Sequence, residues 1–158
     1  AVGGSNGGMF VWDLGRDERS AEVFRAVAPI LGLPHRGYLD PPVSEGGMPV
    51  ISITGSRDRT VPPGEWGQDT FTTTSDGDVY YYSSASAITK VWAEAHSCDT
   101  TVPAEPVDVG SSSMECRGWS YCQSDSQWPP VLDCRGDMGH MYNLSSSWPL
   151  ILDFFEQL

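Results

Sequence analysis

The chain opens on Ala-Val-Gly-Gly-Ser-Asn-Gly-Gly, and Gly3-Gly4-Ser5-Asn6-Gly7 fits the pattern Gly-x-Ser-x-Gly. In that pattern a strand turns sharply into a helix and holds the serine in a strained backbone conformation. Only small residues fit beside such a turn, which is why glycine flanks it. The fold is constrained at once: a strand ends near Val2, and a helix begins at Asn6. Such a turn normally follows several strands of a sheet, yet here almost nothing precedes it. The sequence therefore reads as the C-terminal half of a larger α/β domain, entered just before its serine.

The rest of the chain alternates short buried strands with helices, which indicates α/β architecture. Asn6 to Leu14 reads as the helix after the turn. Val23 to Ile30 reads as a short buried strand ending near Pro29. Leu33 to Met48 is a loop by its glycine and proline content. Pro49 to Thr54 is the clearest strand, β-branched and apolar, closed by Gly55. Arg16 to Ser20 and most of Pro62 to Asp78 read as connections. From Ser83 to His96 the spacing of Ala87, Val91, Trp92 and Ala95 predicts an amphipathic helix. Asp99 to Ser113 is irregular or short strand, and Val131 to Cys134 is a second strand, followed by a loop to Met141. Ser147 to Leu158 predicts a closing helix, with Ser147 as N-cap, Pro149 in its first turn, and Leu150, Ile151, Phe154 and Phe155 on its apolar face.

The chain has 158 residues, enough for at most one domain, with 39% hydrophobic and 11% aromatic residues to build a core. The expectation is one partial domain over 1–158 lacking its N-terminal strands, with a divergent cysteine-containing insertion over 99–130. Nine Lys and Arg against 21 Asp and Glu give a net charge of −12. That balance argues against a nucleic-acid partner or an anionic membrane surface, both of which need clustered cations. No apolar run is long enough to span a bilayer. No signal peptide is visible, and one would lie upstream of Ala1.

Cys98, Cys116, Cys122 and Cys134 contain no Cys-x-x-Cys pair, so a zinc site fits poorly, and an even count favours disulfides over free buried thiols. Three pairings are open. The preferred one is Cys98–Cys122 with Cys116–Cys134, because the segments around 116 and 134 could be neighbouring strands. Asn143-Leu144-Ser145 is an acceptor sequon for N-glycosylation. Sequon and cysteines together favour a secreted protein.

Ser5 is the candidate nucleophile, and it needs a base and a group that orients that base. The N–H of Asn6 would serve as an oxyanion donor at the helix N-terminus. Asp58 lies in the loop directly after the clearest strand, where a carboxylate is well placed to fix a histidine tautomer. Its bland alternative is a surface ion pair with Arg57 or Arg59. His140 follows the second strand and precedes the last helix, where the base is needed. His35 lies in the Gly/Pro-rich loop, and His96 ends a helix, where a cation suits the dipole. Asp137 competes with Asp58 as the acid, but three residues from His140 it is better suited to shaping the loop. The order Ser, Asp, His is that of α/β-hydrolases.

On these residues the chain resembles the C-terminal part of the secreted esterase family that includes polyhydroxybutyrate depolymerases and feruloyl esterases. The resemblance is carried by Gly-Gly-Ser-Asn-Gly-Gly-Met at 3–9 and Phe-Arg-Ala-Val-Ala-Pro at 24–29. Ile-Thr-Gly-Ser-Arg-Asp-Arg-Thr-Val-Pro at 53–62 and Trp92 leading to Cys98 extend it. Gly139-His140 and Leu152-Asp-Phe-Phe155 complete it. Family members often carry Trp-Pro shortly after the histidine, where this chain has Met141-Tyr142. The resemblance implies the C-terminal half of an α/β-hydrolase fold, with Ser5, Asp58 and His140 as a triad and disulfides near the active site. It implies a secreted carboxylic ester hydrolase that needs no metal or other cofactor. The substrate would be a feruloyl- or acetyl-bearing polysaccharide, or a polyester such as polyhydroxybutyrate. A second oxyanion donor would come from an upstream loop outside this chain.

Exposed aromatics bury large area at small entropic cost and suit sugar rings or aromatic acyl groups. Trp66, Tyr80, Tyr81, Tyr82, Trp119, Trp128 and Tyr142 are candidates. Trp119, Trp128 and Tyr142 are the preferred substrate-binding residues, while Trp92 and Tyr81 read as core. Two alternatives stand beside the esterase reading: a serine peptidase on the same scaffold, and an inactive truncated or non-catalytic binding fragment. Lacking its first strands, the isolated chain is expected to be poorly stable and inactive.

Overall fold

A computed structural model describes residues 1–38, 47–64, 70–110, 112–122 and 126–158. Trp66 lies outside these residues, as does most of the Gly/Pro-rich segment after Tyr38. The polypeptide runs through β1 (Val2–Gly4), α1 (Asn6–Arg16), α2 (Glu18–Ala21), β2 (Ala28–Ile30) and β3 (Val50–Gly55). A hairpin of β4 (Thr70–Thr73) and β5 (Val79–Tyr82) follows, then α3 (Ala85–Ala95). Short strands β6 (Glu105–Val107) and β7 (Glu115–Gly118) lead to β8 (Val131–Gly136) and α4 (Leu144–Glu156).

The main sheet has the order β1-β2-β3-β8-β7-β6. Its first four strands are parallel; β7 and β6 run antiparallel to their neighbours. The fold is therefore α/β with a mixed sheet. Every residue of β3 is buried, as a strand covered on both faces requires. Alternation then divides its side chains. Val50 joins Val11, Trp12, Ile88 and Trp92 of α1 and α3 on one face. Ile51 and Ile53 meet Leu150, Ile151 and Phe154 of α4 on the other. Trp12 and Trp92 pack edge to face, with ring centroids 5.2 Å apart, the geometry that aromatic quadrupoles favour.

Several sequence expectations shift. The first helix runs two residues past Leu14, and a short helix occupies part of the expected connection at 16–20. Only Ala28–Ile30 of the 23–30 segment is strand, and Val23 is 74% exposed. The stretch at 62–78 contains β4, whose partner β5 uses three consecutive tyrosines. Helix α4 starts at Leu144, with Asn143 at its N-cap position. Ser147 lies within it and donates its hydroxyl to the Asn143 carbonyl at 2.9 Å. Pro149 sits inside the helix rather than in its first turn.

Both disulfides of the preferred pairing form: Cys98–Cys122 and Cys116–Cys134. Cys116 and Cys134 face each other directly across β7 and β8, which gives the short Cα separation of 4.0 Å. His96, at the C-terminal end of α3, is only 6% exposed. Burial pushes its pKa below the usual 6.5, against a hydrogen bond to the Met48 backbone. The unfolded chain then binds a proton that the folded chain refuses, so stability is full above pH 6.5 and is lost as pH falls below it. His96→Gln is expected to flatten this dependence, read as melting temperature from about pH 7.5 to about pH 5.

Candidate active site

Ser5 occupies the junction of β1 and α1 with φ 53° and ψ −122°, a sparsely populated region for a residue with a side chain. Three contacts impose this conformation. The Ser5 N–H donates to the Ile30 carbonyl at 2.8 Å, tying the turn to the end of β2. The Ser5 carbonyl accepts from Met9 N–H at 3.1 Å, opening the helix. The glycines before it leave no room for side chains: a Cβ on Gly3 would come within 2.8 Å of Val11 Cγ2 and press on the Gly7 carbonyl. Asn6 is the first residue of α1, where helix N–H groups have no intrahelical partner and the dipole favours negative charge.

Asp58 stands three residues past β3, and its carboxylate is fully buried. Oδ1 accepts backbone N–H bonds from Thr60 at 2.8 Å and Val61 at 2.9 Å. Oδ2 accepts from His140 Nδ1 at 2.7 Å. A ring that donates through Nδ1 presents its Nε2 lone pair outward, and there Ser5 Oγ donates at 2.9 Å. The three residues expected from the sequence thus form one continuous hydrogen-bonded line. Burial first, then the charge of Asp58, raises the pKa of the Tyr82 phenol.

The loops carrying Asp58 and His140 are fastened to each other. Ser56 N–H donates to Gly136, and Arg57 N–H donates to Met138. The Arg57 guanidinium pairs with Asp137 at 2.8 Å and also donates to its carbonyl. Asp137 therefore serves the loop, and Arg57 does not compete for Asp58.

The aromatic candidates separate. Tyr142 is half-exposed, and its ring lies on Gly4, where a Cβ would come within 2.6 Å of its Cζ and hydroxyl oxygen. It therefore lies beside the residue that precedes Ser5. Trp119 does not line a cleft beside the triad. It is 1% exposed and belongs to the core cluster shared with α1 and α3. Trp128 is not brought to the triad either. Its N–H donates to the Gln157 side chain at the far end of α4, about 20 Å along the helix from the end next to His140. Tyr81 is 46% exposed rather than core, while Tyr82 is buried and Trp92 is core as expected. Asn143 is exposed, and its side-chain oxygen accepts from Ser145 at 2.8 Å, so the sequon is open to solvent.

Sequence reasoning missed Gly32. A Cβ there would lie 2.8 Å from both Gly8 Cα and Met9 N and would run into the Ser5 carbonyl. A lone glycine after an apolar strand signals close backbone approach, but several loop glycines nearby mask that signal.

Among the described residues no group of three or more His, Cys, Asp or Glu side chains is placed to hold a metal ion. No family model matches this chain, and neither does any curated protein or solved structure.

Proposed function

We propose that this chain carries the nucleophile, acid and base of a secreted serine esterase of α/β-hydrolase type. One observation carries the reading: a serine at positive φ on a strand–helix turn, 2.9 Å from a histidine held at 2.7 Å by a buried carboxylate. Those are the relations a Ser-His-Asp triad requires, whatever the fold. The two disulfides are compatible with an extracellular setting.

In this reading His140 Nε2 takes the Ser5 proton as Oγ attacks the ester carbonyl. Asp58 stabilises the imidazolium and holds its tautomer. The Asn6 N–H and the α1 N-terminus stabilise the oxyanion. His140 then protonates the departing alcohol, and water attacks the acyl-serine by the same route in reverse. Tyr142 offers an aromatic face beside the nucleophile, suited to a feruloyl group or the chain of an esterified polymer. A glycan on Asn143 would sit three residues from the base.

A fluorophosphonate probe tests this reading. Labelling of the wild type at Ser5, absent from Ser5→Ala and His140→Ala, is the expected result. Equal labelling of Ser5→Ala would overturn it. Hydrolysis of methyl ferulate and p-nitrophenyl acetate, set against a peptide anilide, separates an esterase from a peptidase.

A further inference from the structure

The β4–β5 hairpin inverts the usual pattern of a surface hairpin. Strand alternation and register sort its side chains onto two faces. Thr70, Thr72, Tyr80 and Tyr82 share the inner face, where Tyr82 is 5% exposed and belongs to the core. Phe71, Thr73, Val79 and Tyr81 share the outer face. There Phe71 is 59% exposed, and Val79 and Tyr81 are each 46% exposed. Two threonines point inward while large apolar groups face solvent. A contiguous exposed apolar face is the uncommon observation on a protein surface and marks a place of contact.

The chain after β2 widens this face. His35 bridges to Tyr82, and the Arg36 N–H donates to the Tyr81 carbonyl at 2.9 Å. The exposed Arg36 guanidinium lies over the Tyr81 ring, 6.0 Å from its centroid. The Tyr81 ring in turn lies 5.8 Å from that of Phe71. Arg36, Tyr81 and Phe71 thus form one straight row across three neighbouring segments. The inner face fastens the row near Ser5 and Asp58. Thr72 and Thr70 donate their hydroxyls to the Arg59 and Pro62 carbonyls, both at 2.7 Å, in the loop that begins at Asp58. Ser83 N–H donates to the Pro34 carbonyl at 2.9 Å, two residues from Gly32, which packs on the Ser5 backbone. The hairpin follows the C-terminal end of β3, the side of an open α/β sheet on which ligands bind.

The size and chemistry of the row select its partner. Two half-exposed rings of about 150–250 Å² each fall far short of the roughly 800 Å² per partner that a stable protein interface buries. The net charge of −12 repels an anionic polymer. A polyester offers acceptors only, so it would cover the Tyr81 and Thr73 hydroxyl oxygens without donating to them. A sugar ring has C–H groups on its flat face to lie on an aromatic ring, and hydroxyls at its rim that both donate and accept. A straight row on a sheet suits an extended chain of such rings.

We propose that the outer face of this hairpin binds an extended, neutral, β-linked polysaccharide, with Tyr81 and Phe71 each stacking on a sugar ring and Arg36 donating to its hydroxyls. That the bound polymer also carries the ester to be cleaved rests on the esterase reading; the binding itself does not. The test is therefore run on a Ser5→Ala background, where failure of the esterase reading would leave the result unchanged.

The experiment is affinity electrophoresis of the chain in gels containing neutral arabinoxylan or hydroxyethylcellulose. Polygalacturonate gels and sedimentation with poly(3-hydroxybutyrate) particles serve as the anionic and polyester comparisons. Retardation by a neutral polysaccharide is expected, with neither comparison matching it. Phe71→Thr and Tyr81→Thr keep a strand-forming residue and remove an exposed ring, so each should leave the melting temperature nearly unchanged while weakening retardation about tenfold. Tyr81→Trp keeps a ring and should bind at least as well as Tyr81. No retardation, preference for polygalacturonate or the polyester, or undiminished retardation of the folded threonine variants would overturn the proposal. So would a dimer in sedimentation that Tyr81→Thr dissociates, because the face would then belong to a second copy of the chain.

Discussion

His140→Ala is expected to lower kcat for ester cleavage by about 10⁴–10⁶-fold, and adding Ser5→Ala to it should cost little more. Serine alone is a weak nucleophile, and histidine without the serine has nothing to deprotonate. Each residue is useful only through the 2.9 Å bond between them. Their removal is therefore far from additive. The check is kcat on p-nitrophenyl acetate for wild type, both single variants and the double variant, with folding verified by circular dichroism. Two large losses that multiply in the double variant would mean that the residues act separately, and the triad reading would fall. Asp58→Asn belongs in the same series. An amide there would keep the shape of the buried acid but take away the acceptor that fixes the His140 tautomer.

The second large effect lies away from the reacting atoms. Gly32→Ala is expected to destabilise the fold by about 1–3 kcal/mol and to displace Ser5. The new methyl would strike the Ser5 carbonyl, and Gly8 Cα and Met9 N stand 2.8 Å away. All three are backbone and cannot rotate aside. The Gly32 carbonyl also accepts from the Trp12 indole at 2.9 Å, so any retreat of the strand end strains the core. Urea denaturation and fluorophosphonate labelling measure the two consequences. A stable variant with full labelling would show that the elbow has slack the packing denies.

The alignment of Ser5, His140 and Asp58 was legible because each stands just beyond a strand with a strong local signature. Glycines bracket Ser5, the β-branched run of β3 leads to Asp58, and Val131 to Cys134 leads to His140. The Cys116–Cys134 pairing followed from placing their segments side by side. Trp119 misled because its neighbours along the chain are polar. Its ring is committed to the core by tertiary packing that sequence spacing does not encode. The start of α4 was misplaced because Pro149 suits a first turn, whereas here it is tolerated further in. Hairpin β4–β5 escaped because threonines, glycine and aspartates gave its region a loop-like composition. Pairing of four residues from each strand creates it. Gly32 was invisible for a related reason: its partners Ser5, Gly8 and Met9 lie more than twenty residues upstream.

The line of three side chains is drawn from distant parts of the polypeptide. Ser5 and His140 are separated by 135 residues, and His140 and Asp58 by 82. No helix or hairpin contains two of them. They meet only when β1, β2, β3 and β8 have all found parallel partners, and contacts of such high sequence separation are slow to form. A chain with its helices formed and both disulfides closed can still lack the Ser5–His140–Asp58 alignment. In this architecture, under the proposed function, labelling of Ser5 would report on completion of the sheet, and a spectroscopic signal of helix recovery alone would not.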